Sequence, residues 1–214
     1  MHNSIDSLIS IKKEIQEINP NSQLIVVTKT FKAEKIEPLI EFGHRHFGEN
    51  KVQESVEKWT SLKDKYSDIR LHLVGKLQTN KVKFCLPLFD YIHGLDSIKL
   101  AEKIANEQVK KNFKPKIFIQ VNIGEEDQKG GVNQKDISEF YQKLSRGYDL
   151  DIIGLMCIPP MRDDTSSYFL KMKSLSEKVN LKELSMGMSN DYVSALKNSA
   201  TYLRVGSKIM GKRF

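Results

Sequence analysis

Leu24-Ile25-Val26-Val27-Thr28-Lys29 is the stretch on which the reading of this chain turns. Its first five residues are β-favouring and uncharged, so they read as a strand buried on both faces. The lysine that closes the strand needs solvent, a partner or a ligand, because an apolar interior is costly for an ammonium. Desolvation lowers a lysine's pKa and frees its amine to attack carbonyls, the property of Schiff-base lysines. A lysine that has simply reached the exposed end of its strand is the plainer alternative, and the rest of the chain decides between the two.

Outward from this strand, helix and strand patterns alternate. Ser4 to Ile18 is a helix with Ile5, Leu8, Ile11, Ile15 and Ile18 on one stripe, ended by Pro20-Asn21-Ser22. Later helices are expected over about Ala33–Phe42, Lys51–Tyr66, a short stretch from Thr79, then Ser97–Lys111, Gln134–Leu144, Thr165–Val179 and Asp191–Lys197. Strands are expected near Arg45–Phe47 and over Arg70–Val74, Tyr91–His93, Lys116–Ile123, Asp151–Met156, Glu183–Ser185 and Tyr202–Val205. A polar loop, Gly124 to Gly131, follows the fifth strand. About eight βα units, with no linker and no change of composition, imply a parallel sheet. The expected fold is α/β: a single-domain (β/α)8 TIM barrel over residues 1–214, with one extra N-terminal helix. A doubly wound open sheet is the rival. Strand count favours the barrel, and the missing glycine-rich turn after the first strand weakens the dinucleotide-binding version.

Charged residues make up 29% of the chain and hydrophobic residues 39%, the balance of a soluble globular protein. No apolar run approaches the roughly 20 residues of a membrane helix. Met1 to Asp6 has neither the basic flank nor the apolar core of a secretion signal, so the expected location is the cytoplasm. Cys85 and Cys157 lie far apart, match no metal or redox spacing, and are expected to be buried and reduced. A net charge of +7 raises nucleic acid as a partner, yet the lysines are scattered, with no block of like charge and no interleaved aromatic motif. No nucleic-acid partner and no membrane are expected.

Barrel sites lie where strands end and βα loops begin. Those points carry Lys29, Gly48-Glu49-Asn50, Gly75 after His72, Asn122, Met156 with Pro159, Ser185 to Asp191, and Arg204 with Gly206-Ser207. The last two loops look like an anion cup. Ser189 is positioned to cap the following helix, Gly206 admits close backbone approach, and Ser207 adds a hydroxyl. Plain helix capping by Ser189 is the alternative. Arg204 stays charged and can only donate, so it belongs in the barrel mouth or in a structural salt bridge. His44 and His46 form H-x-H, but no third ligand at zinc-like spacing follows, and no metal is expected. His72 reads as a satisfied interior histidine, and Trp59 sits at core spacing with Val52 and Val56.

Seven segments taken together resemble one family. They are Leu24 to Thr30 (LIVVTKT), His46 to Glu54 (HFGENKVQE), His72 to Lys81 (HLVGKLQTNK), Gln120-Val121-Asn122, Gly154-Leu155-Met156, Leu184 to Asp191 (LSMGMSND) and Leu203 to Gly211 (LRVGSKIMG). In this combination and order the chain resembles the pyridoxal phosphate homeostasis proteins, the YggS/PROSC-like family. The resemblance implies a barrel like the cofactor domain of alanine racemase and pyridoxal phosphate (PLP) held as a Schiff base on Lys29. It assigns Ser189, Gly206 and Ser207 to the phosphate, Arg204 to the pyridine nitrogen, and Asn50 to the side of the ring. It also implies a role in vitamin B6 balance. The chain departs from the pattern in places: Thr28 stands for a serine, Phe31 for a lysine, and Ser207 for a threonine. It stops at Phe214 without a lysine-containing tail, and Lys129 occupies a loop where some relatives carry a lysine.

PLP catalysis needs an electron sink and a placed acid or base. An arginine at the ring nitrogen keeps that nitrogen unprotonated and weakens the sink, and the only tyrosine near a strand end is Tyr202. The expectation is therefore a PLP-holding protein with little turnover, a monomer with PLP as its partner and PLP-dependent apo-enzymes as candidate partners. A small PLP-dependent amino-acid racemase is the alternative.

Overall fold

Aliphatic and β-branched side chains can be buried on both faces only where each backbone group pairs with a neighbouring strand. The computed structural model describes residues 3–126, 128–160 and 164–211. In it the apolar runs become β1 (Gln23–Val27), β2 (His46–Glu49), β3 (Arg70–Leu73), β4 (Tyr91–Leu95), β5 (Lys116–Asn122), β6 (Val132–Asn133), β7 (Asp151–Cys157), β8 (Glu183–Met188) and β9 (Tyr202–Val205). Between them run α1 (Ser4–Ile18), α2 (Ala33–Glu41), α3 (Val52–Lys65), α4 (Val82–Cys85), α5 (Ile98–Lys111), α6 (Ile137–Gly147), α7 (Ser166–Lys178), α8 (Tyr192–Lys197) and α9 (Ser207–Met210). Local chemistry sets several ends. Asn3 caps α1 by accepting the Ile5 N–H at 3.0 Å, Ser97 caps α5, and Asn112 ends α5 in the left-handed region at φ 47°.

The strands pair in the order β4-β3-β2-β1-β9-β8-β7-β5, every pair parallel. β5 then returns to β4, with Tyr91 opposite Lys116 and Ile92 opposite Ile117. That last pairing closes an eight-stranded barrel and disposes of the open-sheet rival. α1 is the extra helix, and it buries Leu8, Ile11 and Ile15 near α2, α8 and α9. Burying each such side chain is worth about 1.5–3 kcal/mol.

The sequence pattern needs four corrections. Ile18 is 37% exposed, because the stripe of α1 runs off the barrel at its last residue. Val56 is 36% exposed, while Val52 and Trp59 are buried. The loop from Gly124 closes with the two-residue strand β6, which pairs with β5 at Val121 and Asn122; Asp127 of that loop lies outside the described residues. After β9 the chain makes one more short helix, α9.

The barrel interior has two zones. Tyr91, Phe118 and Met156, with Ile153 and Tyr202 against them, fill the end where the strands start. Further along the strands the buried interior turns polar, with His72, His93, Ser185 and Arg204. Beyond that zone the strand ends open into a cavity.

Candidate functional site

The cavity has a volume of about 1010 Å³ and lies at the C-terminal strand ends. Lys29, Asn50, Ser189, Arg204, Gly206 and Ser207 all line it. Residues from four separated segments thus converge because β1, β2, β8 and β9 are neighbours in one sheet.

Lys29 follows β1 by two residues and is half-buried. The turn bearing it is pinned from below. The Lys58 Nζ of α3 donates to Thr28 O and Phe31 O, both at 3.0 Å, and pairs with the Glu49 carboxylate at 2.6 Å. Glu49 Oε1 also accepts from Thr28 Oγ1 at 2.6 Å and from Trp59 Nε1 at 3.0 Å. The pair is buried, with side-chain exposures of 11% and 1%. Sequence reasoning gave Trp59 only a core role and gave Glu49 and Lys58 none. The hint available was a Glu at a strand end with a Lys and a Trp on one helix behind it.

Asn50 is brought against the next loop by a missing side chain. A Cβ on Gly75 would lie 2.2 Å from Asn50 O, so only glycine lets these two loops touch. On the far side, Gly187 sits at φ +90°, a conformation other residues rarely adopt. It turns the end of β8 so that the next residues reach the β9 loop.

There the structure departs from one expectation. Ser189 does not cap α8, whose N-cap is Asp191. The Asp191 carboxylate instead accepts the Met188 N–H at 2.6 Å and tightens the loop. Ser189 Oγ is thereby turned across to β9, where it faces Gly206 N at 3.3 Å and Lys208 N at 3.5 Å. Gly206 N and Lys208 N donate to Ser189 Oγ, and Ser189, Gly206 and Ser207 line one side of the cavity together. Gly206 packs its bare Cα face against Val27, where a Cβ would lie 3.3 Å from Val27 O.

Arg204 is 4% exposed. Its Nη1 donates to Ser185 Oγ and its Nη2 to Cys157 O, both at 2.7 Å. Among the described residues no carboxylate pairs with it, so the salt-bridge alternative is not realised. Burial pushes the guanidinium's pKa down, yet an arginine stays charged at any working pH. A buried cation held on neutral partners, with one side facing a cavity, is a site for an acceptor or an anion.

Ser185 is also bonded to His93, which leads through His72 to His46. His72 is thus a satisfied interior histidine, as its alternation suggested. His44 Nε2 bonds His46 O at 2.8 Å, and among the described residues no metal-binding cluster occurs. Cys85 and Cys157 are free and buried, and burial pushes the Cys157 thiol up to about 12. Tyr202 lies at the start of β9, with its ring 5.2 Å from Phe118 and 5.8 Å from Tyr91, away from the cavity mouth.

The donor set suits PLP: an amine, a donor-only cation at the depth of the strands, and the hydroxyl-bearing loops after β8 and β9 line one cavity. Comparison with known proteins points the same way. The sequence matches the family of the alanine racemase N-terminal domain over residues 7–213. A pyridoxal phosphate homeostasis protein of Aquifex aeolicus is 36% identical over 201 residues, covering 90% of this chain and 87% of the relative. The structure of PipY from Synechococcus elongatus with PLP bound has a TM-score of 0.86 at 33% identity, covering 98% of this chain and 100% of that one. Alanine racemase from Corynebacterium glutamicum shares the fold at a TM-score of 0.69 and 13% identity, with 95% of this chain covering 60% of that one.

Proposed function

Because the chain belongs to the alanine racemase N-terminal domain family, among its pyridoxal phosphate homeostasis proteins, we propose that it binds PLP reversibly and maintains the cell's supply of the cofactor. One observation carries the reading: Lys29, the buried Arg204 cation and the Ser189, Gly206 and Ser207 loops share a single cavity. When bound, PLP supplies an aldehyde that captures an amine as a Schiff base and a ring that withdraws electrons.

Lys29 provides the amine. The Lys58–Glu49 anchor fixes the turn that carries it, so little freedom is lost on capture. Ser189, Gly206 and Ser207 take the phosphate with hydroxyl and N–H donors, and Asn50 lies beside the ring. Arg204 donates to the pyridine nitrogen and, having no proton it can give up, keeps that nitrogen unprotonated.

Little turnover follows from the same groups. Lys29, Asp191 and Arg204 are the titratable residues among the described lining, and the Asp191 carboxylate is engaged by the Met188 N–H. The Tyr202 phenol, packed at the other end of the barrel, is not positioned as an acid or base. No described helix is long and apolar enough to cross a membrane, and buried free cysteines suit a reducing cytoplasm. In this reading the protein acts as a single-domain monomer and yields PLP to PLP-dependent apo-enzymes.

Borohydride reduction of the PLP-loaded protein followed by peptide mapping should place the pyridoxyl group on Lys29. A label mainly on another lysine would refute that assignment. Incubation with L-amino acids and chiral analysis tests the rest, since sustained multiple turnovers would make the protein an enzyme.

A further inference from the structure

A file of hydrogen bonds crosses the barrel interior from Arg204. Ser185 Oγ accepts from Arg204 Nη1 at 2.7 Å and lies 2.8 Å from His93 Nδ1. His93 Nε2 lies 3.0 Å from His72 Nδ1, and His72 Nε2 lies 2.9 Å from His46 Nδ1. The residues come from β9, β8, β4, β3 and β2. Ser185, His93 and His72 have no solvent exposure, and aromatic rings flank the file. Tyr91 stacks on His72 at 4.1 Å and Phe118 on His93 at 4.4 Å.

Donor bookkeeping fixes the protons. A guanidinium only donates, so Ser185 receives one hydrogen and has one of its own to give. If that hydrogen goes to His93 Nδ1, then His93, His72 and His46 each carry their proton on Nε2. Every bond in the file is then made, and every acceptor faces the cation. The reverse order would send a second donor to Ser185 and leave its buried hydroxyl hydrogen without an acceptor, which is unfavourable in a buried site. It would also point N–H dipoles at a positive charge.

We propose that Ser185, His93, His72 and His46 are positioning residues for Arg204, and that they couple charge in the cavity to the protonation of His46 at the far end of the barrel. Polarised neutral imidazoles spread the arginine's charge in place of a carboxylate and hold the guanidinium toward the cavity. An acceptor placed on Arg204 relieves that polarisation and makes His46 more basic. Protonated His46 would in turn demand reversal of both buried tautomers. His46 is the half-buried end. Tyr91 and His72 face it, Arg70, Lys116 and Asp90 lie around it from β3, β5 and the residue before β4, and His44 adjoins it on its own segment.

Side-chain 15N spectroscopy of the full-length protein tests this, first without cofactor. His93, His72 and His46 should each show a bare Nδ1 and a protonated Nε2 at neutral pH. Ser185→Ala should lose that single-tautomer signature at His93 and, through His72, at His46, and Ser185→Thr should restore it. Unchanged His46 nitrogens in a folded Ser185→Ala protein, or an Nδ1–H tautomer in wild type, would overturn the proposal. Should Ser185→Ala fail to fold, His46→Ala serves instead: His93 and His72 should keep their protons on Nε2, because the order is set from Arg204, and a shift of either ring to the Nδ1–H tautomer refutes the file. The coupling to ligand rests on the PLP reading. Adding PLP should move the titration of His46 upward in wild type. PLP that binds without moving it overturns the coupling alone, whereas failure of PLP to bind Arg204's cavity overturns the functional reading and leaves the tautomer test standing.

Discussion

Lowering the pH from 7 to 5 should strip this fold of much of its stability, and four histidines set the size of the loss. Burial, with Lys12 nearby, pulls the His44 pKa down to about 3. Burial, with the cations Arg70 and Lys116, pulls His46 down to about 4. Burial and neighbouring imidazoles hold His72 well below its ordinary value, and burial with Arg204 does the same for His93. In the unfolded chain each returns to an ordinary pKa of 6.5. The native state therefore stays neutral while the unfolded state gains protons, so stability is intact above pH 6.5 and falls as the pH drops toward the folded values. Between pH 7 and 5 His44 and His46 each cost about 2 kcal/mol, or roughly 4 kcal/mol for the two, and His72 and His93 add to the loss in the same direction. Domains commonly hold only about 5–15 kcal/mol in all. Guanidinium denaturation followed by circular dichroism at pH 7, 6 and 5 measures the loss, and replacing His44 by Gln should reduce it by about 2 kcal/mol. A denaturation midpoint unchanged between pH 7 and 5 would show that these histidines are not held neutral.

Other tests address the cavity. Ser189→Ala with Ser207→Ala should weaken PLP by about ten-fold or more, since each bond to a charged group is worth roughly 1.5–3 kcal/mol. It should also shrink the preference for PLP over pyridoxal, and an undiminished preference would place the phosphate elsewhere. Arg204→Gln should let the bound ring nitrogen protonate, so the absorption of the loaded protein should become pH-dependent between about 5 and 9 where the wild type is flat. Identical spectra would mean that Arg204 does not meet the ring. Lys58→Met strands the buried Glu49 carboxylate and should cost about 3–5 kcal/mol in denaturation, with Glu49→Gln added on top recovering part of it. Strict additivity of the two changes would argue against a buried pair.

The strand ends were legible because uncharged runs such as Ile117–Ile123 and Leu24–Thr28 stop abruptly at Gly124 and Lys29. That was enough to bring the six candidate site residues to one mouth, since in a parallel barrel every strand ends on the same side. What stayed hidden depends on register between strands distant in sequence. His46, His72, His93 and Ser185 are ordinary alternating positions on their own strands, and only the stagger of the closed sheet puts their ring nitrogens in line. The same holds for Ser189. Local sequence makes it a helix cap, but the Asp191–Met188 bond and the left-handed Gly187 send it to a different loop. β6 has two residues, too few for any period to show.

The grip of Lys58 on the turn below Lys29 falls on the carbonyl oxygens of Thr28 and Phe31, groups that every amino acid possesses. The anchor is therefore blind to which side chains the turn carries. A substitution of Phe31, which lines the cavity, can therefore alter that lining without displacing the amine two residues earlier. The clamp separates the identity of the turn from its shape.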